Sequence, residues 1–496
     1  MECTHVGARC IVLRENDSVA VLPEGGGAGS RLLFAEQELV LKEVIAPGHK
    51  IALRDIKQGE RVVKYGFPIG VASRPIAAGE HVHVQNVRSA LGHEWSPSWS
   101  PSPARLLSPL SPVPSFQGYR RTEGPPGIRN ELWIIPTVGC VNEYLKFLAG
   151  AWTAPSWIEN VRVLSHPYGC SQLGEDLERT AAVLAGLARN PCAAGVIVAG
   201  LGCENLQRVF LETRLAGVEK VRFLSLQEED DDAGALYALL DELAADAPKE
   251  REPFPLSGVT LGVKCGGSDG FSGLSANPLV GEVADRMSAW GGKILATEIP
   301  EMFGAEDVIA SRIADRQVFD AFAETIRWFR NYYVEHKQPV YENPSPGNKD
   351  GGITTLEEKS LGAVNKCGSG AVTDVLAMGE QAKRPGVSVV FGPGNDLVSS
   401  TALAAGGAQI ILFTTGRGTP FSTVVPTIKI SSNTRLFGRK PRWIDFDAGP
   451  LLSGTPRHLL AEALTGLVLE VASGRRTRNE ENRSGEIAIF KDGVTL

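Results

Sequence analysis

Leu132-Trp133-Ile134-Ile135-Pro136-Thr137-Val138, closed by Gly139-Cys140, carries no charge and stops at a glycine. An apolar run of this kind reads as a strand buried on both faces of a parallel sheet. Val161-Arg162-Val163-Leu164, ending before His166, reads as a second strand, and Gly195-Val196-Ile197-Val198-Ala199-Gly200-Leu201-Gly202 as a third with its turn. Between them, Asp176 through Leu187 has helical period. Strands alternating with helices predict a Rossmann-like α/β domain. The scheme recurs further on. Strands are predicted at Val259 to Val263, Lys293 to Thr297, Val387 to Phe391, Gln409 to Phe413 and Thr427 to Ile430, with helices around Pro278 to Trp290 and Val318 to Tyr333. A helix from Ala233 to Ala245 and the charged stretch Pro248 to Pro255 separate the two units.

Towards the N-terminus the pattern changes. Cys10 to Leu13, Ser18 to Leu22, Lys50 to Ala52, Arg61 to Val63 and His81 to Val84 are short β-rich runs between Gly and Asp residues. Two stretches look alike, Leu53-Arg54-Asp55-Ile56-Lys57-Gln58-Gly59-Glu60 and Ser73-Arg74-Pro75-Ile76-Ala77-Ala78-Gly79-Glu80, which suggests a folded-over β-clip. From Trp95 to Phe116 repeated Ser and Pro block regular ladders, so this segment reads as a linker whose tryptophans dock on a neighbour. The expected organisation is an all-β module over 1–91, a linker over 92–116, and α/β domains over 117–250 and 256–496.

The 496 residues exceed what one core usually organises, and 43% hydrophobic with 22% charged residues describes an ordinary globular chain. A net charge of −7 gives no footprint for nucleic acid. No apolar run is long enough to span a membrane. The Met1-Glu2-Cys3-Thr4-His5 start lacks the features of a signal peptide, which points to the cytosol. The eight cysteines are widely spread and read as reduced thiols rather than a disulfide framework.

Ligands of open parallel sheets bind at the carboxyl ends of strands. The residues there are polar: Gly139-Cys140-Val141-Asn142, His166 through Gln172, Gly202-Cys203-Glu204-Asn205, Lys264-Cys265-Gly266-Gly267-Ser268-Asp269, Glu298 with Glu301, Asn343 through Gly352, and Thr415 through Pro420. Such a set suits a polyhydroxylated acid. Asn142, Cys203, Glu204, Ser268, Asp269, Asn277, Glu298, Asn348 and Thr419 are candidates to meet hydroxyls. Arg129 and Arg417 are either carboxylate clamps or structural ion pairs.

In order along the chain, these motifs resemble the altronate/galactarate dehydratase family over nearly the whole length. The marks are Gly118-Tyr119-Arg120-Arg121, Gly127-Ile128-Arg129-Asn130, Pro136-Thr137-Val138-Gly139-Cys140, Gly202-Cys203-Glu204 and Cys265-Gly266-Gly267-Ser268-Asp269. Phe271-Ser272-Gly273, Ala276-Asn277-Pro278, Pro346-Gly347-Asn348-Lys349, Thr415 through Pro420 and Gly493-Val494-Thr495-Leu496 continue them. The N-terminal module resembles the small SAF-like β-clip domain of these enzymes through Gly48-His49-Lys50, Lys64-Tyr65-Gly66 and Glu80-His81-Val82-His83.

The resemblance implies elimination of water across C2 and C3 of a sugar acid to give a 2-keto-3-deoxy acid, with iron, or manganese or magnesium, as a divalent metal. Altronate is the favoured substrate, leaning on Glu486 through Lys491, and galactarate or another aldarate the near alternative. Sulfolactate sulfo-lyase belongs to the same broad family and releases sulfite instead. A non-catalytic sugar-acid-binding protein is the rival from another class. A nucleotide-binding oxidoreductase is disfavoured because Gly200 through Asn205 does not complete the dinucleotide fingerprint. A homodimer is the expected assembly.

His81 and His83, one residue apart on a strand, project from one face and lead as metal ligands, with His49 a third if folding brings it alongside. The alternative is two solvent-exposed histidines on an edge strand. Gln85 stands where the commoner family pattern has a histidine, and Arg14 near another such position ahead of Asp17. An iron–sulfur cluster on Cys140, Cys170, Cys203, Cys265 and Cys367 is the less favoured alternative, against the bland reading that small cysteines fill tight turns. Lys349, His166 and His49 are the proton-transfer candidates. The competing role for Lys349 and Lys359 is to bind carboxylate or to pair with Glu298 and Glu301.

Overall fold

The computed structural model of the chain describes residues 10–34, 37–92, 95–101, 107 and 109–496. The first residues, on which the cytosolic expectation rests, and part of the Ser/Pro linker lie outside these described residues. The chain is mixed α/β, with a small all-β region followed by parallel-sheet domains.

In the N-terminal module, Val19–Val21, Lys50–Ala52 and His81–Val82 form one antiparallel sheet, and Arg61–Lys64, Phe67–Ala72 and Val87–Arg88 another. The repeat does close a clip. Ile56 pairs with Ile76, both buried, and Glu60 and Glu80 accept the backbone N–H groups of Lys57 and Ala77 at 2.9 and 3.0 Å. Each glutamate thus ties its own turn. The hairpin Arg31–Phe34 with Gln37–Val40 and the strand Phe67–Ala72 are absent from the sequence reading. Pro68 and Gly70 argue against a strand locally, yet Phe67–Ala72 has partners on both sides.

The second domain is a four-stranded parallel sheet in the order Asn160–Val163, Glu131–Pro136, Ala193–Gly200, Val221–Ser225. The third is a seven-stranded parallel sheet whose middle is Gly386–Val390, Lys293–Ala296, Thr260–Cys265, Ile410–Thr415 and Thr427–Ser431. Its outer strand Val372–Leu376 escapes sequence reading because two of its residues are polar and its middle is only half-buried. The amphipathic helix Arg316–Glu335 packs Phe319, Phe322, Ile326 and Phe329 inward at helical spacing.

The linker requires a correction at its end. Ser115–Gly118 is a strand, antiparallel to Glu252–Pro255, because Phe116 is an apolar anchor that is buried. Upstream, Trp95 and Trp99 do dock: their indole N–H groups donate to Asp307 Oδ1 and Ile313 O, each at 3.2 Å. No helix among the described residues is long and apolar enough to cross a membrane.

Candidate active site between the N-terminal module and the C-terminal domain

Register brings the three histidines together. Lys50 pairs with Val82 and Ile51 with His81, so His49 stands across from His83 on the face that His81 shares. The ring centroids of His49, His81 and His83 lie 5.1, 5.1 and 5.4 Å apart. Each ring has an outer partner. His49 Nε2 donates to Asp350 O at 3.3 Å, His81 Nδ1 accepts from Gln85 at 3.3 Å, and His83 Nδ1 bonds Thr354 Oγ1 at 3.0 Å. With those tautomers, His81 Nε2–H donates to His49 Nδ1 at 2.9 Å.

All three imidazoles are held neutral. Burial lowers His49, lowers His81 to about 4 with help from His49 and Lys50, and lowers His83 to about 3 with help from Lys50 and the other two rings. Neutral rings with fixed outer partners are what a metal requires of histidine. Among the described residues no three donors are already set around one point. The His49–His81 hydrogen bond ties up the two ring nitrogens that would face an ion. The donor chemistry fits a divalent cation once that bond opens and the Gln85 amide turns its oxygen to His81.

The cluster is pressed against the C-terminal domain. A Cβ at Gly270 would sit 2.2 Å from Gly48 O, and one at Gly352 2.6 Å from it, so only glycine permits this approach. Lys50 Nζ donates to Gly352 O at 2.7 Å and Thr354 Oγ1 at 2.9 Å, and pairs with Glu358 at 2.9 Å. Lys64 pairs with the other oxygen of Glu358 at 2.8 Å. Burial opposes the charge on Glu358, but the two lysines hold it down to about 2, and burial brings Lys50 down to about 8. Thr354 therefore links Lys50 to His83 through one hydroxyl.

Beneath this lies a second buried charge cluster, at the carboxyl ends of Thr260–Cys265 and Lys293–Ala296. Glu298, at φ 71° in the left-handed region, accepts from Lys264, from Lys366 at 2.9 Å and from the Cys265 N–H at 3.1 Å. Lys264 also meets Asp396 at 2.9 Å, and Lys359 meets Glu301 at 2.8 Å. Glu301 Oε2 and Ser360 Oγ are buried without a hydrogen-bond partner. The cleft between Lys64, Tyr65, Ser268, Glu358 and Lys359 is only about 10 Å³, room for roughly one water. The structure is closed at this point.

Sequence-predicted residues sort by what they already hold. Asp269 accepts from Ser272, Ser432, Asn433 and the Phe271 N–H, and its carboxyl is pushed up by burial. Asn348 caps its own helix at Ser345 and donates to Ser268 O at 2.8 Å. Asn277 is held by Gly362 O and Thr414, and Ser268 by Cys265 Sγ at 2.7 Å. These four build the floor of the site. Lys349 and Arg417 differ: neither side chain has an ion-pair or hydrogen-bond partner among the described residues, and Arg417 is exposed. The Arg417 backbone bonds Gly267 O at 3.0 Å, beside Ser268, and Lys429 Nζ holds the Thr419 carbonyl at 2.7 Å. Lys359 takes the pairing role with Glu301.

Others lie elsewhere. Arg129 is buried against Glu480 at 2.7 and 3.0 Å and donates to three carbonyls, so the structural ion pair replaces the clamp. His166 stands in the second domain, with Nε2 donating to Pro136 O at 2.7 Å and Nδ1 accepting from Tyr168 N at 3.2 Å. Burial lowers it to about 4, and neither nitrogen is left for proton transfer. Glu204 is consumed by Thr137 and the N–H groups of Leu201 and Gly202. Asn142 donates to His166 O, while its Oδ1 has no partner. Cys140, Cys170 and Cys203 are exposed in this domain, whereas Cys265 and Cys367 are buried in the next.

Lys50, Lys64 and Lys264 stand within the sequence motifs but receive no role from sequence reading, and Lys366 and Glu358 are missed altogether. For Lys50, Lys64 and Lys264 the one signal is a lysine inside an apolar strand, as in Leu261-Gly262-Val263-Lys264-Cys265, while Lys366 and Glu358 lie on helices and carry none.

Comparison with known proteins reaches the full chain. Residues 8–90 match the altronate/galactarate dehydratase SAF domain, 118–248 the second domain of D-galactarate dehydratase/altronate hydrolase, and 256–495 the C-terminal region of D-galactarate/altronate dehydratase. The chain is 46% identical to an altronate dehydratase of Bacillus subtilis, covering 98% of this chain and 99% of the relative. It is 43% identical to an altronate dehydratase of Escherichia coli over 97% and 98% of the two. A galactarate dehydratase (L-threo-forming) of Escherichia coli is 32% identical over 97% and 96%.

Proposed function

Because this chain belongs to the galactarate/altronate dehydratase family, we propose that it is a hydro-lyase removing water across C2 and C3 of a sugar acid, altronate before galactarate, to give a 2-keto-3-deoxy acid. One observation supports this reading: three neutral imidazoles of the N-terminal module meet the C-terminal domain at the short helix that bears Lys349.

Removing the proton beside a carboxylate builds negative charge on that carboxylate, so the site must supply positive charge there. His49, His81 and His83 would hold a divalent metal, iron before manganese or magnesium, whose Lewis acidity stabilises that charge. Arg417, free of a partner and beside Ser268, grips the carboxylate through its two N–H edges. Lys349 takes the C2 proton. The C2–H electron pair forms the C2=C3 bond as the C3 hydroxyl leaves with a proton as water, and the enol tautomerises to the 2-keto acid. Lys349 follows the buried Asn348 and precedes Asp350, whose carbonyl holds His49. Glu301 Oε2 and Ser360 Oγ, left without partners, receive substrate hydroxyls. The closed cleft admits no sugar acid, so substrate enters when the module moves off the domain, and its return excludes water.

The test is anaerobic turnover of altronate, galactarate and sulfolactate by metal-stripped protein, before and after addition of iron, manganese or magnesium. Keto-acid formation from altronate, restored best by iron, is expected. Sulfite release from sulfolactate alone, or no turnover with any pair, overturns the reading.

A further inference from the structure

One cavity at the second domain is not at the catalytic end of either sheet. It is about 620 Å³ and is lined by Thr260 and Lys293, the first residues of their strands. Cys265 and Glu298 stand at the opposite ends of those strands. The cavity therefore opens between the second and third domains on the face away from the histidine cluster.

Of the five cations on its wall, Arg120 pairs with Glu252 at 2.6 Å and the other four have no ion-pair partner among the described residues. Arg121 donates to Pro191 O, Asn130 Oδ1 and Arg129 O at 2.9, 3.1 and 2.6 Å. Lys220 Nζ donates to the carbonyls of Asn190 and Ala193 at 2.6 and 3.0 Å. Arg189 reaches the carbonyls of Ala185 and Arg214, and Lys293 that of Ala382 at 3.3 Å. All these acceptors are neutral, and none of the four cations has a carboxylate within ion-pair distance among the described residues. Glu123, Glu219 and Asp246 also line the cavity, but Asp246 faces Arg222 at 3.8 Å, and cations outnumber carboxylates on the wall. The cost is visible in the groups themselves: burial brings Lys220 to about 7, with Arg121 adding repulsion, and Arg121 to about 10. Lys50 and Lys64 are neutralised by Glu358, whereas the half-buried cations here, like the buried Lys429 and Arg312, are met only by neutral acceptors. What sets these four apart is that they line one open cavity together.

We infer that this cavity is a second ligand site, which takes a small phosphate ester between Arg121, Arg189, Lys220 and Lys293. The four cations come from four separate chain segments and surround the void, which suits the several oxygens of a phosphate better than one planar carboxylate. Pro125, Pro191 and Val218 supply an apolar wall for the rest of the molecule. The volume lies in the range of small-molecule pockets, about 300–1,000 Å³.

The probe is inorganic pyrophosphate, titrated calorimetrically into the full chain, with sodium chloride at matched ionic strength and galactarate as controls. One saturable site is expected, weakened about tenfold or more by Arg189→Gln and by Lys220→Met, as losing a charge-assisted hydrogen bond demands. Lys220→Met leaves two carbonyls unsatisfied, so Lys293→Ala, which breaks one long hydrogen bond, keeps the test decisive if that variant does not fold. Turnover without pyrophosphate stays at the unsubstituted level in Arg189→Gln and Lys293→Ala. Equal binding by the variants, absence of saturable binding, or galactarate displacing pyrophosphate from the site overturns the proposal.

Discussion

The second domain and the module–domain interface present similar residues in similar loops, yet they spend them differently. At the strand ends of the second domain, His166 and Glu204 turn inward and satisfy backbone groups of their own turns. At the interface, His49, His81 and His83 face one another, Lys349 and Arg417 are left free, and Glu301 and Ser360 keep unpaired oxygens. A polar loop at the carboxyl end of a strand is thus a location for chemistry and not yet a site. What separates the two is how much remains after the turn has tied itself: an unpaired oxygen such as Asn142 Oδ1 in the second domain, against facing rings, two free cations and two unpaired oxygens at the interface.

Substitutions on the two sides are expected to break in different currencies. The largest effect falls on Lys349→Met, which lowers kcat by about 10²–10⁴-fold, the span of general-base catalysis, while leaving unfolding by urea unchanged. Steady-state kinetics beside a denaturation curve measures both. Glu358→Gln acts on stability instead. It strands Lys50 and Lys64 in the interior and costs about 3–5 kcal/mol in urea unfolding.

The same carboxylate sets a pH window. Its folded value of about 2 lies below an unfolded value of about 4.3, so its contribution is complete above about pH 4.3 and is lost as pH falls towards about 2. Glu358→Gln flattens the stability profile over that window. In the second domain, Glu204→Gln costs about 1–3 kcal/mol through the donors it leaves unpaired, with kcat/KM unchanged. The smallest effect is at Cys203→Ser, an exposed thiol, where KM and stability both stay put. A raised KM there would move the substrate towards the second domain and dissolve the contrast.

Much of this is legible in the sequence. Most of the parallel strands are apolar runs, and Leu132 through Val138, uncharged throughout, needs no context to be read as buried. The His81–His83 spacing gives a shared face from strand geometry alone. The partner His49 required register, which pairing of Lys50–Ala52 with His81–Val82 supplies and no local pattern contains. Arg129 shows the opposite limit: a guanidinium suited to a substrate carboxylate is equally suited to Glu480, more than three hundred residues away along the chain. The buried lysines were invisible for the same reason. Lysine in a strand is ordinarily exposed, and the carboxylates that make Lys50, Lys64 and Lys264 tolerable come from distant segments.

The central claim is that the N-terminal module supplies half of the active site. It is tested most directly by anaerobic altronate turnover of the His81→Ala/His83→Ala protein after iron is added, beside the unsubstituted chain and with circular dichroism as the folding control. A folded variant that forms no 2-keto-3-deoxy acid is the predicted result, and one that turns over altronate at the unsubstituted rate contradicts the account.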